Sequence, residues 1–241
     1  MKAFILSAGL GTRLGVLTKD KPKALVEFNG KPMLQGVIER LKSQGFNQFC
    51  INVHHHAEKI IRFVEKHHFF NVDIVFSDER QALLDTGGAL VKASDFFKGD
   101  ENVLVHNVDI YISIDFSRVM KSHTESHALT TLLVKNRKST RKLIFNETLT
   151  LKGWKDLKNN RFLWADKPLP HYLEKAFSGA YIASPELPFL LKKEGAFPIV
   201  PAWIELSKNH TIKGFEHNGL WFDLGTPEKI KTAESIINSS L

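Results

Sequence analysis

At 241 residues and 43% hydrophobic content, the chain is long enough for one large core, or a core with an appended lobe, and too apolar for a disordered or fibrous protein. No apolar stretch is long enough to span a membrane, and the N-terminal MKAFILSAGLGTR carries a glycine loop in place of a secretory leader, so a cytoplasmic protein is expected. The single cysteine, Cys50, excludes an internal disulfide; its apolar neighbours Phe49 and Ile51 predict a buried, reduced thiol. The net charge of +7 is confined to one segment: from Lys135 to Lys175 eleven Lys or Arg face four Asp or Glu, and the remaining 22 of each sign cancel.

In chain order, Lys2–Ser7 reads as a buried strand that runs directly into Ala8-Gly9-Leu10-Gly11-Thr12-Arg13. Glycines let ligand oxygens approach backbone N–H groups and reach positive φ at little cost, so this loop suits an anion. Arg13 adds a rigid fork of donors, and Lys23, after Pro22, a compact second cation. A dinucleotide fingerprint fails at Leu14, where glycine is required, and no Walker A pattern occurs. Leu6, Ala8, Gly9, Gly11, Thr12, Arg13 and Lys23 together point to a bound triphosphate.

Apolar spacing predicts a helix over Met33–Ser43, a strand over Phe49–Val53, a helix over Ala57–Lys66 and a strand over Val72–Phe76. His54, His55 and His56 fall between strand and helix, and consecutive side chains do not converge on one ion. A helix over Gly88–Phe97, a strand over Val103–Asn107, a helix near Phe116–His123 and a strand over Leu129–Val134 follow. Alternation of this kind implies a mainly parallel sheet with helices on both faces, whose ligands collect beyond the carboxyl ends of the strands. From Lys142 the texture changes: Leu143–Asn146 and Leu149–Trp154 predict a hairpin turning at Glu147-Thr148, and Asn159-Asn160 another turn. Helices return over Pro201–Ser207 and Pro227–Ser239.

The pattern LSAGLGTRL followed by PKALV resembles the nucleotidylyltransferases that join a nucleoside triphosphate to a sugar 1-phosphate and release pyrophosphate. LDTGGAL at 84–90, VHNVD at 105–109, FSGAYIAS at 177–184 and WFDLGTPE at 221–228 recur in that family's order over nearly the whole chain. The small enzymes similar to N-acetylmuramate-1-phosphate uridylyltransferase look nearest, with phosphocholine cytidylyltransferases second. The resemblance implies a Rossmann-like α/β fold with a small acceptor-binding lobe: a nucleotide-binding half over 1–135, the lobe over 136–215, and a closing segment over 216–241.

By the same resemblance, Asp109 and Asp223 are the positions that hold magnesium, which suits one or two carboxylates plus phosphate oxygens. Arg13 and Lys23 are the catalytic cations. Gly87 and Gly88 are matched to the base, with Glu79 beside them, and Lys167 and Gly179 to the sugar phosphate, with Glu174-Lys175 an alternative placement of the lysine. The chain departs from the family at Val108, where glycine is usual, and at Asp166, which stands for glutamate. Residue type alone also allows both aspartates a purely structural role, Asp109 capping a turn and Asp223 capping the last helix. A phosphocholine-type enzyme would need an aromatic cage, for which Trp154, Trp164 and Tyr172 are available, and a silent regulatory subunit would bind nucleotide without turnover. The basic segment reads as a solvated face or as a field attracting an anionic phosphosugar; its Trp154, Phe162 and Trp164 fit no nucleic-acid module. The sequence carries no signature of base identity, sugar identity or oligomeric state.

Overall fold

The computed structural model describes residues 1–239. Two compact units result: Met1–Leu83, His106–Ile114 and the described part of Gly219–Leu241 form the first, Leu84–Val105 and Asp115–Asn218 the second. Among the described residues no helix is long and apolar enough to cross a membrane.

In the first unit β1 (Lys2–Leu6) is buried from Ala3 to Leu6, which is why its apolar run is unbroken. Two short 3-10 turns follow, at Thr12–Thr18 and Lys23–Leu25, and then β2 (Glu27–Phe28) and β3 (Lys31–Pro32) pair across Asn29-Gly30. Both loop residues have positive φ, 50° and 72°, as a tight hairpin of matching twist requires. Helix α1 (Met33–Lys42) buries Leu34, Val37, Ile38 and Leu41 along one stripe. Strand β4 (Gln48–Val53), helix α2 (Ala57–Lys66) and strand β5 (Asp73–Asp78) complete two crossovers, giving a parallel sheet in the order β1, β4, β5. Cys50 is buried in β4, and burial pushes its thiol up to about 12 with the negative Glu79 adding to the shift. The three histidines lie in the β4–α2 loop, as expected, and His67 closes α2 with its Nδ1 at 2.8 Å from the Phe63 carbonyl.

The single helix expected over Gly88–Phe97 is instead two: α3 (Asp85–Lys92) starts three residues earlier, and α4 (Ser94–Phe97) follows a break at Ala93. Strand β6 (Val103–Asn107) carries the chain across the unit boundary, and β7 (Ile110–Ser113) returns to the first unit. In the second unit α5 (Phe116–Ser126) begins at Asp115, whose side chain accepts from the Ser117 N–H at 2.9 Å. Strands β8 (Thr130–Lys135), β9 (Arg141–Phe145), β10 (Leu151–Asp156), β11 (Arg161–Trp164) and β12 (Leu173–Ala183) follow, then α6 (Leu187–Leu190), α7 (Ile199–Leu206) and β13 (Ile212–Glu216). These strands order as β11, β10, β9, β12, β8, β13, antiparallel except for β8 with β13. The β9–β10 turn is wider than the predicted Glu147-Thr148 pair, because Asn146 Oδ1 accepts the Thr150 N–H at 2.8 Å and draws Asn146–Thr150 into one loop.

The chain then re-enters the first unit, where β14 (Leu220–Asp223) pairs antiparallel with β7, and α8 (Pro227–Asn238) follows. The fold is therefore mixed α/β: a Rossmann-like parallel sheet with crossover helices in the first unit and a mainly antiparallel sheet in the second.

Candidate active site

The glycine loop is anchored from below by a side chain of the neighbouring strand. Asn52 on β4 accepts the Ser7 and Ala8 N–H groups through Oδ1, at 2.6 and 3.2 Å, and donates Nδ2 to Glu79 at 2.8 Å. Asn52 and Glu79 are buried, at 3% and 2% exposure, so this amide fixes the chain direction where β1 ends. Leu6 and Ala8 are buried, whereas Gly9, Thr12 and Arg13 reach the surface. Gly11 sits at φ 67°, and a Cβ there would stand 2.9 Å from Lys23 Cβ; one on Gly9 would stand 3.3 Å from Lys23 Nζ. The loop thus wraps the Lys23 side chain, and only glycine fits at Gly11 on both counts.

Lys23 ends in an ion pair with Asp109, Nζ to Oδ2 at 3.0 Å, with both side chains under 15% exposed. Asp109 lies in the tight turn from β6 to β7, whose Val108 N–H is held by the Leu6 carbonyl at 3.1 Å. Val108 is not among the residues with positive φ, so the turn does not demand the glycine usual there. The carboxylate serves Lys23 and does not act as a turn cap.

Asp223 arrives beside it through the β7–β14 ladder, which sets Asp223 opposite Ile110, while the Leu224 N–H donates to the Asp109 carbonyl at 2.8 Å. Asp223 Oδ1 accepts the Gly225 N–H at 2.9 Å, and Oδ2 pairs with Lys229. Burial alone would raise its pKa, but the hydrogen bonds from Lys229 and Gly225 and the charges of Lys229 and Arg13 outweigh it, so the carboxyl titrates below its ordinary value. The cap of α8 is Thr226, whose hydroxyl accepts the Lys229 N–H, not Asp223. A Cβ on Gly225 would meet Asp223 Oδ1 at 2.8 Å and Arg13 Nη2 at 2.9 Å, so Arg13 and Asp223 flank the same glycine. Glycine loop, two cations and two carboxylates, far apart in sequence, converge within the first unit.

Of the other predicted residues, Glu79 lies in the first unit, bound to Asn52, and the rest lie in the second. Gly87 and Gly88 are buried in the first turn of α3, not in a turn before a helix. The Gly87 N–H donates to the Phe197 carbonyl at 2.8 Å, and a Cβ would come within 2.2 Å of Phe197 Cε2 at Gly87 and of the Gly195 carbonyl at Gly88. Close packing of the 195–197 segment therefore accounts for both glycines. Gly179, at φ 81°, forms a bulge in β12 where its register with β8 shifts. Lys167 is exposed in the loop between β11 and β12; Lys175 on β12 pairs with Glu216 at 2.7 Å, and Glu174 pairs with Lys155. Trp164 and Tyr172 meet edge to face at 5.5 Å, but Trp154 opposes Leu163 and so lies on the other face of the β10–β11 ladder. The three aromatics do not form one cage.

Sequence reasoning missed Asn52 and Lys229. Their signals are a lone polar side chain within the apolar run Phe49–Val53, and a lysine in the first turn of a helix that begins shortly after a site aspartate.

Residues 2–142 match the family model described as nucleotidyl transferase. An N-acetylmuramate alpha-1-phosphate uridylyltransferase of Caulobacter vibrioides is 30% identical over 97% of this chain and 95% of its own length. A mannose-1-phosphate guanyltransferase of Schizosaccharomyces pombe is also 30% identical over 100% of this chain, which spans 65% of that longer protein. The structure of an apo UDP-glucose pyrophosphorylase superposes with a TM-score of 0.80 at 18% identity, covering 99% of this chain and 98% of that one, a likeness of fold.

Proposed function

The chain belongs to the nucleotidyl transferase family, and from that premise we propose that it joins a nucleoside triphosphate to a sugar 1-phosphate, yielding a nucleotide-activated sugar and pyrophosphate. The observation that carries this reading is the Lys23–Asp109 ion pair inside the glycine loop, with Asp223 and Arg13 side by side at Gly225. A phosphate oxygen of the acceptor forms a bond to the α-phosphorus as the bond from that phosphorus to the oxygen bridging to the β-phosphate breaks. Two anions must meet, so positioning and charge neutralisation supply most of the acceleration. Gly9, Gly11 and Thr12 present the loop backbone to the triphosphate, Leu6 and Ala8 hold the end of β1 beneath it through Val108 and Asn52, and Arg13, exposed at its rim, neutralises charge that builds on departing pyrophosphate. Lys23 is aimed by Asp109 across Gly9.

The same residues fit magnesium. Asp109 and Asp223 supply hard oxygens on adjoining segments, and each already holds a lysine ammonium where positive charge is wanted. Bound there, the ion would neutralise phosphate oxygens; Lys229 would hold Asp223 ionised. In the second unit, the backbone of Gly87 and Gly88, set in place by its packing on the 195–197 segment, is assigned to the base, and Lys167 and Gly179 to the acceptor.

The test is a panel of the four common triphosphates against several sugar 1-phosphates, scored by pyrophosphate release with and without magnesium. Magnesium-dependent release is expected from at least one pair. Triphosphate binding with no turnover across the panel would replace this reading with a regulatory one.

A further inference from the structure

Two lysines meet the two site aspartates within the first unit, and they are not equivalent. Lys23 is wrapped by the glycine loop, and its side chain and that of Asp109 are 14% and 12% exposed. Lys229 on α8 is open to solvent, with its side chain 48% exposed and that of Asp223 24%. An enclosed pair is costly to part, because each charge would be left buried and alone, whereas an open pair parts into water at little cost.

Helix α8 by itself does not call for a lysine at this position. Thr226 caps it, Pro227 and Glu228 suit the first turn, and Lys229 then sets a positive charge against the positive end of the helix dipole. A half-exposed ion pair returns little stability in exchange. What the lysine does is occupy Asp223. Of the two carboxylate oxygens, Oδ1 accepts the Gly225 N–H and Oδ2 holds the Lys229 ammonium. That ammonium keeps the carboxylate ionised for a metal ion and at the same time stands on the oxygen the ion would use. Its flexible four-carbon stem lets the ammonium swing clear without moving the helix.

We propose that Lys229 is a placeholder for the metal: it neutralises Asp223 while no ion is bound and is displaced by the incoming divalent cation, whereas Lys23 stays on Asp109. The proposal rests on the reading that magnesium binds Asp109 and Asp223. Ammonium and metal then compete for one oxygen, so the lysine weakens metal binding and is released by it.

The first consequence is tested with Mn2+, which takes the same hard oxygen ligands as magnesium and whose binding to the whole protein is read from the loss of the free ion's electron paramagnetic resonance signal. Lys229→Met should bind Mn2+ about fivefold or more tightly than wild type. Lys231→Met removes a charge two residues along the same helix, where side chains diverge, and should stay within about twofold of wild type. Equal gains in both variants, or no gain in Lys229→Met, overturn the placeholder role; loss of binding in Asp223→Asn then shows that the metal reading still stands. Unchanged binding in Asp223→Asn, or no binding by any of the four proteins, removes the metal reading and the placeholder with it. Release is measured separately, by acetylation of Lys229 with an N-hydroxysuccinimide ester and mass spectrometry. Saturating Mn2+ should speed that reaction about threefold or more in wild type and leave it unchanged in Asp223→Asn. A rate in wild type that does not respond to Mn2+ means that the lysine stays on Asp223, and the placeholder role falls.

Discussion

At the scale of single residues, the site is a set of opposed charges whose geometry assigns different tasks to similar groups. Arg13 is exposed and touches the Asp223 side of the site, whereas Lys23 is half-buried, wrapped by the glycine loop and committed to Asp109. Arg13→Ala should therefore lower kcat by on the order of 10²-fold or more with little change in fold, since its charge matters most as pyrophosphate departs. Unaltered kcat at saturating substrates removes Arg13 from the mechanism. Asp109 and Asp223 are expected to act as one unit: Asp109→Asn and Asp223→Asn each abolish most turnover, and the double variant is little worse than the poorer single one. Turnover measured against magnesium concentration for the three variants checks this. Additive losses with an unchanged magnesium requirement would mean that the two carboxylates work separately.

At the scale of elements, strand β4 supports the loop that follows β1. Asn52 holds two N–H groups of that loop and is in turn held by Glu79, and all three partners are buried or nearly so. Asn52→Ala leaves those donors without their acceptor and should cost roughly 1–3 kcal/mol in denaturant unfolding. Asn52→Asp should cost more, because a second carboxylate would face buried Glu79 and the donor to it would be gone. A smaller loss for aspartate than for alanine would show that Glu79 is not ionised against Asn52. In the loop itself, Gly11→Ala meets both a left-handed backbone and the Lys23 side chain, and is expected to cost roughly 1–2 kcal/mol from the backbone alone. Its kcat/KM should fall as Lys23 is displaced, a loss read in the same assay.

Across the whole molecule, three buried histidines couple folding to pH. His106, His123 and His217 are each lowered to about 4, in every case first by burial. Their ordinary value is 6.5, so between these limits the unfolded chain binds more protons than the folded one. Their contribution to stability is complete above about pH 6.5 and is lost as pH falls toward 4. The free energy of urea unfolding should therefore decline steadily from about pH 7 to about pH 5, with a shallower decline in His123→Gln. A flat profile over that window would contradict the burial of these rings as neutral groups.

The parallel α/β core was legible in the sequence because its signal is local. Helix α2 and strand β6 fall on the predicted residues, since an apolar stripe or run reports its own burial wherever the chain goes. The glycine loop and its two cations were legible for the same reason, lying within one short stretch from Gly9 to Lys23. Some strands were not: β7 and β14 span only four residues each, Lys213 and Gly214 interrupt the apolar pattern of β13, and β11 is an exposed edge, so none carries an apolar run like that of β6. The role of Asn52 was decided by the β1–β4 register, and the pairing of Asp223 with Lys229 by the β7–β14 ladder and the start of α8. The basic segment shows the division most clearly. Composition disclosed an excess of cations between 135 and 175, but only antiparallel pairing set Lys142 against Lys155 and turned Trp154 to the opposite face from Trp164, so that the aromatics form no cage. Residue types carry charge and polarity along the chain; which charges meet is settled by strand register, because a shift of one residue moves every side chain to the other face.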